Sequence, residues 1–245
     1  MSISARQKQI LELLESNSFM SVKKISEMTY TSESSVRRDL SRLEGMSLIR
    51  RTHGGASTVS ELGGAVPLSS RMMQSVAEKK KIARLASSLL KDGQTVMLDG
   101  SSSAGYLVPY IAKHNDMTVF TNNMLTAINS VNYGISTYCI GGISVNSSAV
   151  LSGSMAYEAV KNICPDILFF SSQCVDRDGT IYDPIAEENY IRSLMLANAR
   201  MSVFLCDSAK FDHKSIYKLT SVDKIDVCVF DKPYTQLKVA CNIIT

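Results

Sequence analysis

The stretch SESSVRRDLSRLEGMSLIRRTHGGA, residues 32–56, decides how the first quarter of the chain folds. Ser32 is a good helix N-cap, and after it apolar side chains recur at the spacing of one helical face, at Val36, Leu40 and Leu43. Gly45 ends this predicted helix. A strand-like segment follows and runs into Gly54-Gly55, which predicts a tight turn and a small two-stranded wing.

Two further short helices are predicted before this stretch. Residues 5–16 predict one helix, whose apolar stripe consists of Ile10, Leu11, Leu13 and Leu14. Val22–Met28 predicts a second helix, with Ser21 as its N-cap. Three short helices with a tight connection between the second and third are typical of a helix-turn-helix, whose last helix enters the major groove of DNA.

Side chains suited to DNA lie outside the predicted apolar face. Small hydroxyl groups in the first helical turn allow close approach to bases or phosphates, and arginines bond guanine edges or backbone oxygens. The predicted wing carries further basic side chains along its edge. The predicted DNA contacts are Ser34, Ser35, Arg37, Arg38, Arg42, Arg50, Arg51 and His53. The alternative is a three-helix bundle whose arginines are merely solvated.

The positive charge of the chain is concentrated at its start. Residues 1–57 contain nine Lys or Arg against six acidic residues, whereas residues 58–245 contain 17 of each. The formal net charge of +3 therefore belongs entirely to the first quarter. A basic module joined to a neutral one indicates a polyanion-binding head on a body with another task.

The composition excludes several classes of protein. With 245 residues, 45% hydrophobic and 20% charged, the chain is neither disordered nor fibrous, and its length suits a large domain plus a small one. Its six cysteines form no CxxC pair and mostly sit in apolar runs, which predicts core packing in a reducing compartment. No stretch looks like a signal or membrane segment, and the three histidines lack metal-ligand spacing. We expect a soluble cytoplasmic protein with no membrane contact, metal or cofactor.

From Ser75 onward, helical patterns and short apolar strands alternate. The predicted strands lie at 95–100, 118–123, 136–142, 166–175, 202–210 and 226–231, the last being the final strand of the chain. Strands separated by helices imply βαβ units and a mainly parallel sheet covered on both faces. The fold class is therefore α/β for this larger body.

Some predictions for this body concern single elements. Its first helix is expected to open with a capping box, Ser75 to Glu78, and to run as far as Gly93. The run Lys79–Lys81 is expected on a solvated face of that helix. One helix is predicted through residues 107–114. Carboxylates near a later helix start are expected to meet its dipole rather than to act in catalysis, at Asp183, Glu187 and Glu188.

Ligands of such folds bind beyond the carboxyl ends of the strands. Here those ends carry small polar residues, in Asp99–Ser103, Thr121–Asn123, Gly141-Gly142, Asp176–Gly179 and Asp207–Lys210, while Gly153 precedes a helix. Backbone N–H groups and hydroxyls can converge there on an anion, and Lys210 adds a point charge for a phosphate. Turn and capping requirements explain any one of these loops. Several on one edge favour a small-molecule site.

The stretch quoted first closely resembles the signature of the DeoR family of bacterial sugar-metabolism regulators, with a match over about residues 5–57. Residues 75–232 resemble the sensor domain of the same family, in the segments LDGSSS, FTNN, the GG after a strand, LSG, VDRDG and DSAKF. That sensor domain is related in fold to ribose-5-phosphate isomerase and similar sugar-phosphate enzymes.

The resemblance implies a winged helix-turn-helix DNA-binding domain at 1–57, a linker at 58–74 and an effector-binding and oligomerisation domain at 75–245. The implied function is regulation of transcription, usually repression, through double-stranded operator DNA. The implied effector is a phosphorylated sugar or sugar derivative, and the implied assembly is a homodimer or homotetramer. The resemblance suggests effector-binding roles for Asp99, Ser101, Ser102, Ser103, Thr121, Asn122, Gly141, Gly142, Gly153, Asp176 and Lys210.

Two alternative functions stay open at this point. An isomerase-like enzyme acting on a sugar phosphate would use Lys210 and Asp99 for acid–base chemistry, although a fold alone implies no activity. An architectural DNA binder would keep the basic head and carry a degenerate sensor. Turnover of a sugar phosphate would favour the first alternative, and the lack of any effector would favour the second.

Overall fold

A computed structural model describes residues 3–17, 19–46, 48–52, 54–58, 68–145 and 148–245. The chain divides into two compact units, residues 1–74 and 75–245. His53 and residues 59–67 of the predicted linker lie outside the described residues. The rest of that predicted linker contains a helix, α4, which the sequence did not predict.

The first unit contains the three predicted helices and a small antiparallel sheet. Its helices are α1 (Ala5–Asn17), α2 (Val22–Met28), α3 (Glu33–Gly45) and α4 (Leu68–Met73). Its strands are β1 (Phe19–Ser21), β2 (Ile49–Thr52) and β3 (Gly55–Thr58), in the order β1-β3-β2. Strands β2 and β3 form the predicted wing, whereas β1 was not predicted.

Local capping and one apolar cluster fix the first unit. The side chains of Ser21 and Ser32 cap α2 and α3, each accepting a hydrogen bond from a backbone N–H three residues on. The cluster brings together the apolar faces of α1, α2 and α3 with one side of the sheet, and its fully buried members include Ile10, Leu14, Ile25, Val36, Leu40 and Leu43. The helical spacing of the sequence therefore predicted this core correctly.

A buried carboxylate ties α3 to α1. Asp39, on the inner side of α3, accepts a hydrogen bond from Arg6 Nε at 2.5 Å and another from the buried Gln7 Nε2 at 3.0 Å. Because Arg6 and Gln7 both lie in the first turn of α1, the pairing fixes how α3 lies against that helix.

The second unit alternates helices and strands as predicted. Its helices are α5 (Val76–Ala86), α6 (Ser102–Gly105), α7 (Val108–Ile111), α8 (Met124–Asn132), α9 (Ser154–Lys161) and α10 (Ala186–Asn198). Short 3₁₀ turns lie at Ser87–Leu89, Ser208–Lys210 and Val222–Lys224.

A seven-stranded, fully parallel sheet forms the centre of this unit. Its strands are β4 (Thr95–Leu98), β5 (Thr118–Thr121), β6 (Ser136–Cys139), β9 (Ile167–Phe170), β12 (Ser202–Cys206), β14 (Val227–Phe230) and β15 (Ile243–Ile244). Their spatial order is β15-β14-β12-β9-β4-β5-β6. The sequence predicted six of these strands and missed β15, which follows the strand predicted to be last.

Successive residues of the central strands face opposite sides of the sheet. Ile167 and Phe169 pack with α5, α6 and α7, whereas Leu168 and Phe170 pack with α9 and α10. All four side chains are fully buried. A sheet covered on both faces explains the unbroken apolar runs that predicted these strands.

Most short strands outside the main sheet were not predicted; the exception is Cys174–Val175, which falls within the strand predicted at 166–175 but is separate from β9. A hairpin consists of β7 (Ile143–Ser144) and β8 (Leu151–Ser152). A second, antiparallel sheet has the order β10-β11-β13, from Cys174–Val175, Thr180–Asp183 and Tyr217–Ser221. The strands that were not predicted lack the long apolar runs of the central sheet, and their sequence pattern is that of loops.

Several predictions for the second unit are wrong. Ser75 has a left-handed backbone (φ +49°) and its hydroxyl does not cap the described first turn of α5, so the predicted capping box is absent. The helix ends at Ala86, and the helix predicted through 107–114 is a short one, α7, that follows the separate α6. In the lysine run, Lys80 and Lys81 are exposed as predicted, whereas Lys79 is buried because its side of α5 packs on the sheet; Lys81 Nζ also donates a hydrogen bond to the Asp231 carbonyl.

The cysteines also differ from the expectation of core packing. All six are free thiols, but only Cys206 and Cys228 are buried, whereas Cys139 and Cys164 are exposed. Cys139 ends an edge strand and Cys164 follows α9, so apolar neighbours in sequence did not report burial. Among the described residues no helix is both long and apolar enough to cross a membrane.

Replacing Asp39 by alanine is expected to destabilise the first unit. The buried Gln7 amide would lose its acceptor, which costs about 1–3 kcal/mol in free energy of unfolding. Urea denaturation of the full chain, with hydrogen exchange of amides in α1 and α3, measures the loss. Glu27→Ala, which removes an exposed acid on α2, serves as control and should stay within about 0.5 kcal/mol of the parent. Equal effects of the two changes would contradict this role of Asp39.

Candidate functional site

The outward face of α3 carries most of the predicted DNA-contacting side chains. Ser34, Arg37, Arg38 and Arg42 are exposed, and Ser35 is partly exposed, while the opposite face is buried in the core. The hydroxyl of Ser32 lies 3.1 Å from those of both Ser34 and Ser35, so three hydroxyls gather at the start of the helix. This face therefore presents small polar groups first and arginines one turn later.

Weak contacts hold the two adjacent arginines over this helical turn. Arg37 Nη2 donates to Glu33 Oε2 at 3.1 Å, between side chains that are both about half exposed. Arg38 contacts the Ser34 carbonyl at 3.5 Å and the Ser35 hydroxyl at 3.4 Å. Exposed pairs of this kind contribute little to stability, so both guanidinium groups are available to another acceptor.

The wing arginines differ from each other. Arg50 is exposed, whereas Arg51 Nη1 donates to Ser41 Oγ at 2.8 Å and the Arg51 backbone N–H donates to Glu44 Oε1 at 3.2 Å. Arg51 therefore fastens β2 to α3 in addition to any role on DNA. His53, the third residue predicted for this edge, lies outside the described residues.

The second unit buries one arginine among three carboxylates. Arg192 on α10 donates from Nε to Asp99 Oδ2 at 2.9 Å and from Nη1 to Asp183 Oδ2 at 3.1 Å, and its Nη2 lies 3.6 Å from Glu188 Oε2. All four side chains are at most 2% exposed. Burial opposes the charge of Arg192, but the carboxylates of Asp183, Asp99 and Glu188 outweigh it and raise its pKa above the ordinary value. The guanidinium therefore stays protonated.

This cluster lies at the carboxyl edge of the central sheet. Asp99 follows β4, and Ser171 and Ser172 follow the neighbouring β9. Ser172 Oγ lies 3.1 Å from Asp183 Oδ2 and 2.5 Å from the Tyr182 carbonyl. Hydrogen bonds thus join the ends of two central strands to the second sheet through Asp183.

Lys210 lies at the same edge, after β12. Its Nζ donates to Ser171 Oγ at 2.8 Å and lies 3.3 Å from Asp207 Oδ2. The side chain retains 19% exposure, so it is the more accessible of the two cations at this edge. Because β12 is two strands from β4, the strand ends that carry Lys210 and Asp99 lie about 10 Å apart.

Several of the predicted polar residues serve as caps. Ser101 Oγ caps α6 by accepting from the Ala104 N–H, and Thr121 Oγ1 accepts from the Asn123 N–H. The side-chain Oδ1 of Asn123 caps α8, and its Nδ2 donates to the Gly100 backbone carbonyl at 3.2 Å. The capping explanation of these loops therefore applies to Ser101, Thr121 and Asn123.

Two buried polar atoms in these loops are not used by capping. Asn122 donates from Nδ2 to the Leu151 carbonyl at 2.8 Å, but its Oδ1 has no hydrogen-bond partner among the described residues. The buried hydroxyl of Ser103 likewise has none within the described ranges. Unsatisfied polar atoms are costly in a protein interior, and a ligand is one way to satisfy them.

Asn122 lines a narrow cleft beside the arginine cluster; its open volume of about 160 Å³ includes solvent at the mouth, and no part of it has room for a water molecule. The remaining lining residues are Asp99, Gly100, Val150, Glu188, Ile191, Arg192 and Met195. The cleft therefore offers carboxylate and amide oxygens on one side and aliphatic groups on the other. The lining has the chemistry to meet hydroxyl groups and carbon–hydrogen surface, but the cleft must widen before a ligand of sugar size can enter.

Glycines allow the chain to approach itself closely around the cleft. A Cβ on Gly100 would lie 2.6 Å from Val150 Cγ1, and one on Gly142 would lie 2.3 Å from the Ser152 carbonyl oxygen. Gly153, whose φ is +94°, lies beside Ile143 at the start of α9. Nothing in the described structure lies within 4 Å of a Cβ on Gly141, so close packing does not explain that glycine.

Asp176 lies elsewhere than predicted. It follows β10 of the second sheet rather than a strand of the central sheet, and its carboxylate accepts from the Thr180 N–H at 2.9 Å and from Tyr182 Oη at 2.9 Å. Burial raises the pKa of Asp176, but the bonds from Tyr182, Thr180 and Lys214 outweigh it and lower the pKa overall. The residue thus braces the turn between β10 and β11.

Sequence reasoning missed the central member of the site. Arg192 was not singled out. Glu188 does lie in the first turn of α10 and Asp183 just before it, as expected, but their pairing with Arg192 was not predicted. The sequence did contain a usable signal. Glu188, Arg192 and Met195 recur at helical spacing, which places two charged side chains on the same face of α10 as an apolar one. Ser171 and Ser172 gave no comparable signal.

A helix-turn-helix unit with an exposed basic face on its last helix, in one chain with a larger α/β unit, is the architecture of a two-domain DNA-binding regulator. Residues 6–61 match the family model of the DeoR-like helix-turn-helix domain, and residues 74–232 match that of the DeoR C terminal sensor domain. The chain belongs to the DeoR family of transcription regulators.

Individual relatives agree with this assignment. The HTH-type transcriptional regulator GolR of Listeria innocua is 30% identical over 227 residues, which cover 92% of this chain and 89% of that protein. The HTH-type transcriptional repressor GlcR of Bacillus subtilis is 30% identical, with 91% and 86% covered. The L-fucose operon activator of Escherichia coli is 26% identical, with 99% of both chains covered. These names describe regulators, not enzymes.

Solved structures were compared as well. Ribose 5-phosphate isomerase A from Methanocaldococcus jannaschii aligns with 54% of this chain and 53% of its own, at 16% identity and a TM-score of 0.41. The eIF2B delta structure from Chaetomium thermophilum aligns with 66% of this chain and 59% of its own, at 16% identity and a TM-score of 0.48.

Replacing Arg192 by methionine is expected to destabilise the second unit by about 3–5 kcal/mol, because it leaves buried carboxylates without their cation. Arg200→Met is the control, since Arg200 pairs with Asp166 at 3.0 Å while 73% exposed, and its loss should cost at most about 1 kcal/mol. Urea denaturation measures both. The Arg192→Met deficit should shrink as the pH is lowered, because protonation relieves the unpaired carboxylates. A deficit that is small or independent of pH would contradict the arrangement.

Proposed function

We propose that this protein represses a carbohydrate-metabolism operon by binding double-stranded operator DNA, and that a phosphorylated sugar or sugar derivative controls this binding. The first unit is the DNA-binding part, and the cleft beside Arg192 is the effector site. The working assembly is a homodimer or homotetramer, because helix-turn-helix proteins usually place two heads on two half-sites. The single observation that carries the proposal is the exposed face of α3, with its gathered hydroxyls and arginines.

Five of the predicted DNA contacts lie on α3, and Arg50 and Arg51 lie on β2 of the wing. The serines at the start of α3 are small enough for the helix to approach the bases, and Arg37 and Arg38 extend from the next turn. Arg42 continues the same face, and Arg50 lies on the wing that follows it. We assign base or phosphate contacts to α3 and backbone contacts to the wing.

Replacing Arg37 by alanine is expected to weaken operator binding by about 5- to 150-fold, which corresponds to about 1–3 kcal/mol for a good arginine contact. Fluorescence anisotropy at fixed salt, on DNA from upstream of the chain's own gene, measures the affinity. Arg84→Ala removes the same charge from an exposed position on α5 and serves as control. If Arg37 contacts a base, the variant should also discriminate less at one base pair of the operator. If Arg37 contacts a phosphate, the slope of log affinity against log salt concentration should fall by about one. Unchanged affinity would exclude Arg37 from the interface.

The chemistry of the cleft supports a hydroxyl-rich effector. The unpaired Asn122 Oδ1 and the carboxylates of Asp99 and Glu188 accept hydrogen bonds, which sugar hydroxyls donate. The same carboxylates disfavour a phosphate in the cleft itself. Lys210 is the cation that we assign to the phosphate, because its Nζ lies at the same sheet edge, on the Ser171 hydroxyl, and its side chain keeps 19% exposure. The remaining predicted effector residues stand as proposals for the same site.

Replacing Ser103 by alanine separates a ligand-binding role from a structural one. Because its buried hydroxyl has no partner in the described structure, its loss should leave the stability of the free protein unchanged or slightly raised. Effector binding should weaken about 5- to 20-fold if the hydroxyl serves the ligand, as measured by the shift of operator binding across a panel of sugar phosphates and their dephosphorylated forms.

Ser130→Ala is the matched control, because the buried Ser130 hydroxyl donates to the Thr126 carbonyl at 2.9 Å. This change should lower stability and leave effector binding unaltered. An operator response that ignores every sugar phosphate would contradict the effector proposal and favour the architectural DNA binder. The isomerase alternative assigned acid–base roles to Lys210 and Asp99, which are both engaged in ion pairs here.

A further inference from the structure

Helix α8 exposes its large apolar side chains and buries small or hydroxyl-bearing ones. Its buried face consists of small or hydroxyl side chains, Thr126, Ala127 and Ser130. Its outward face consists of large apolar side chains, which are between 38% and 61% exposed, at Met124, Leu125, Ile128 and Val131. A helix on the surface of a monomer normally buries its large apolar residues, so this arrangement indicates that another surface covers the outward face.

The region around α8 also lacks charge. Residues 117–157 contain no Lys, Arg, Asp, Glu or His, although one residue in five of the whole chain is charged. This stretch includes α8 and also β6, an edge strand of the central sheet. Charged side chains normally protect an exposed sheet edge against association, and here they are missing. Depletion of charge together with exposed Met and Tyr is typical of the buried centre of a protein interface.

The exposed apolar area is large enough to nucleate an interface. Taking about 200 Å² for a fully exposed large residue, the four outward side chains of α8 and the neighbouring Tyr133 present on the order of 500 Å². A stable interface buries about 800 Å² on each partner. The apolar face of α8 therefore supplies more than half of that area, and the uncharged residues around it can supply the rest.

We infer that the outward face of α8 is a self-association surface, which pairs with the same face of a second copy of this chain about a twofold axis. A twofold axis brings the same patch of both copies together, so a patch with net charge would face a patch of the same charge. A surface without charge meets its copy with no such penalty. The choice of a second copy also rests on the proposed function, since DNA half-sites call for two heads.

Sedimentation velocity of the full-length chain, without DNA, tests this surface. The parent protein is expected to sediment as a dimer or a higher even assembly at micromolar concentration. Ile128→Glu, which places a charge at the centre of the outward face, should raise the dissociation constant at least tenfold. Ile216→Glu is the matched control, because Ile216 is 71% exposed next to β13 of the second sheet, and it should leave the assembly unchanged.

A second variant guards against a folding defect in Ile128→Glu. The double change Leu125→Ala with Val131→Ala shortens two outward side chains without adding charge, and alanine favours the helix. It should also raise the dissociation constant, while the far-ultraviolet circular dichroism spectrum stays that of the parent.

Other results would overturn the assignment. These are a parent protein that is monomeric throughout, a dissociation constant that neither α8 variant changes, or an Ile216→Glu variant that dissociates equally. A protein that dimerises through α8 but binds no operator would refute the regulator proposal and leave this interface standing.

Discussion

One buried guanidinium, that of Arg192, holds together parts of the second unit that are far apart in sequence. Asp99 comes from the end of β4, Asp183 from the end of β11, and Glu188 from the same helix as the arginine. A buried charge is tolerated only when it is paired and hydrogen-bonded, so these elements can take few other relative positions. The cluster therefore holds fixed the charged side of the neighbouring cleft, which Asn122 also lines.

The first unit also contains a buried charged group that is paired with side chains of another element. Asp39 pairs with Arg6 and Gln7 and so fixes the recognition helix from its inner side, while Arg37 and Arg38 remain on the outer side. In both units the buried charged group is structural and the exposed ones are available to a partner. This division explains why neighbouring charged residues have different roles. In the segment Arg37-Arg38-Asp39, the two arginines are exposed and the aspartate is buried against α1.

The sequence predicted what depends on local pattern. Helical spacing and N-cap serines located α2 and α3 to the residue, and apolar runs located most central strands, because each signal lies within a few residues of the element it specifies. The Arg192 cluster and the strands β10, β11 and β13 depend on contacts between distant segments, which periodicity does not report. The prediction that Lys79 on α5 is solvated was wrong for a related reason, since its burial follows from packing on the sheet rather than from composition.

The three carboxylates around Arg192 also restrict how this protein can diverge. Replacing Arg192 alone would leave three buried carboxylates without their cation, so the cluster cannot lose its centre by one substitution. The Ser103 hydroxyl and the Asn122 amide oxygen, which have no hydrogen-bond partner among the described residues, carry no such mutual dependence. Descendants of this chain that respond to different small molecules should therefore differ at those neutral positions while inheriting the charged cluster as a block.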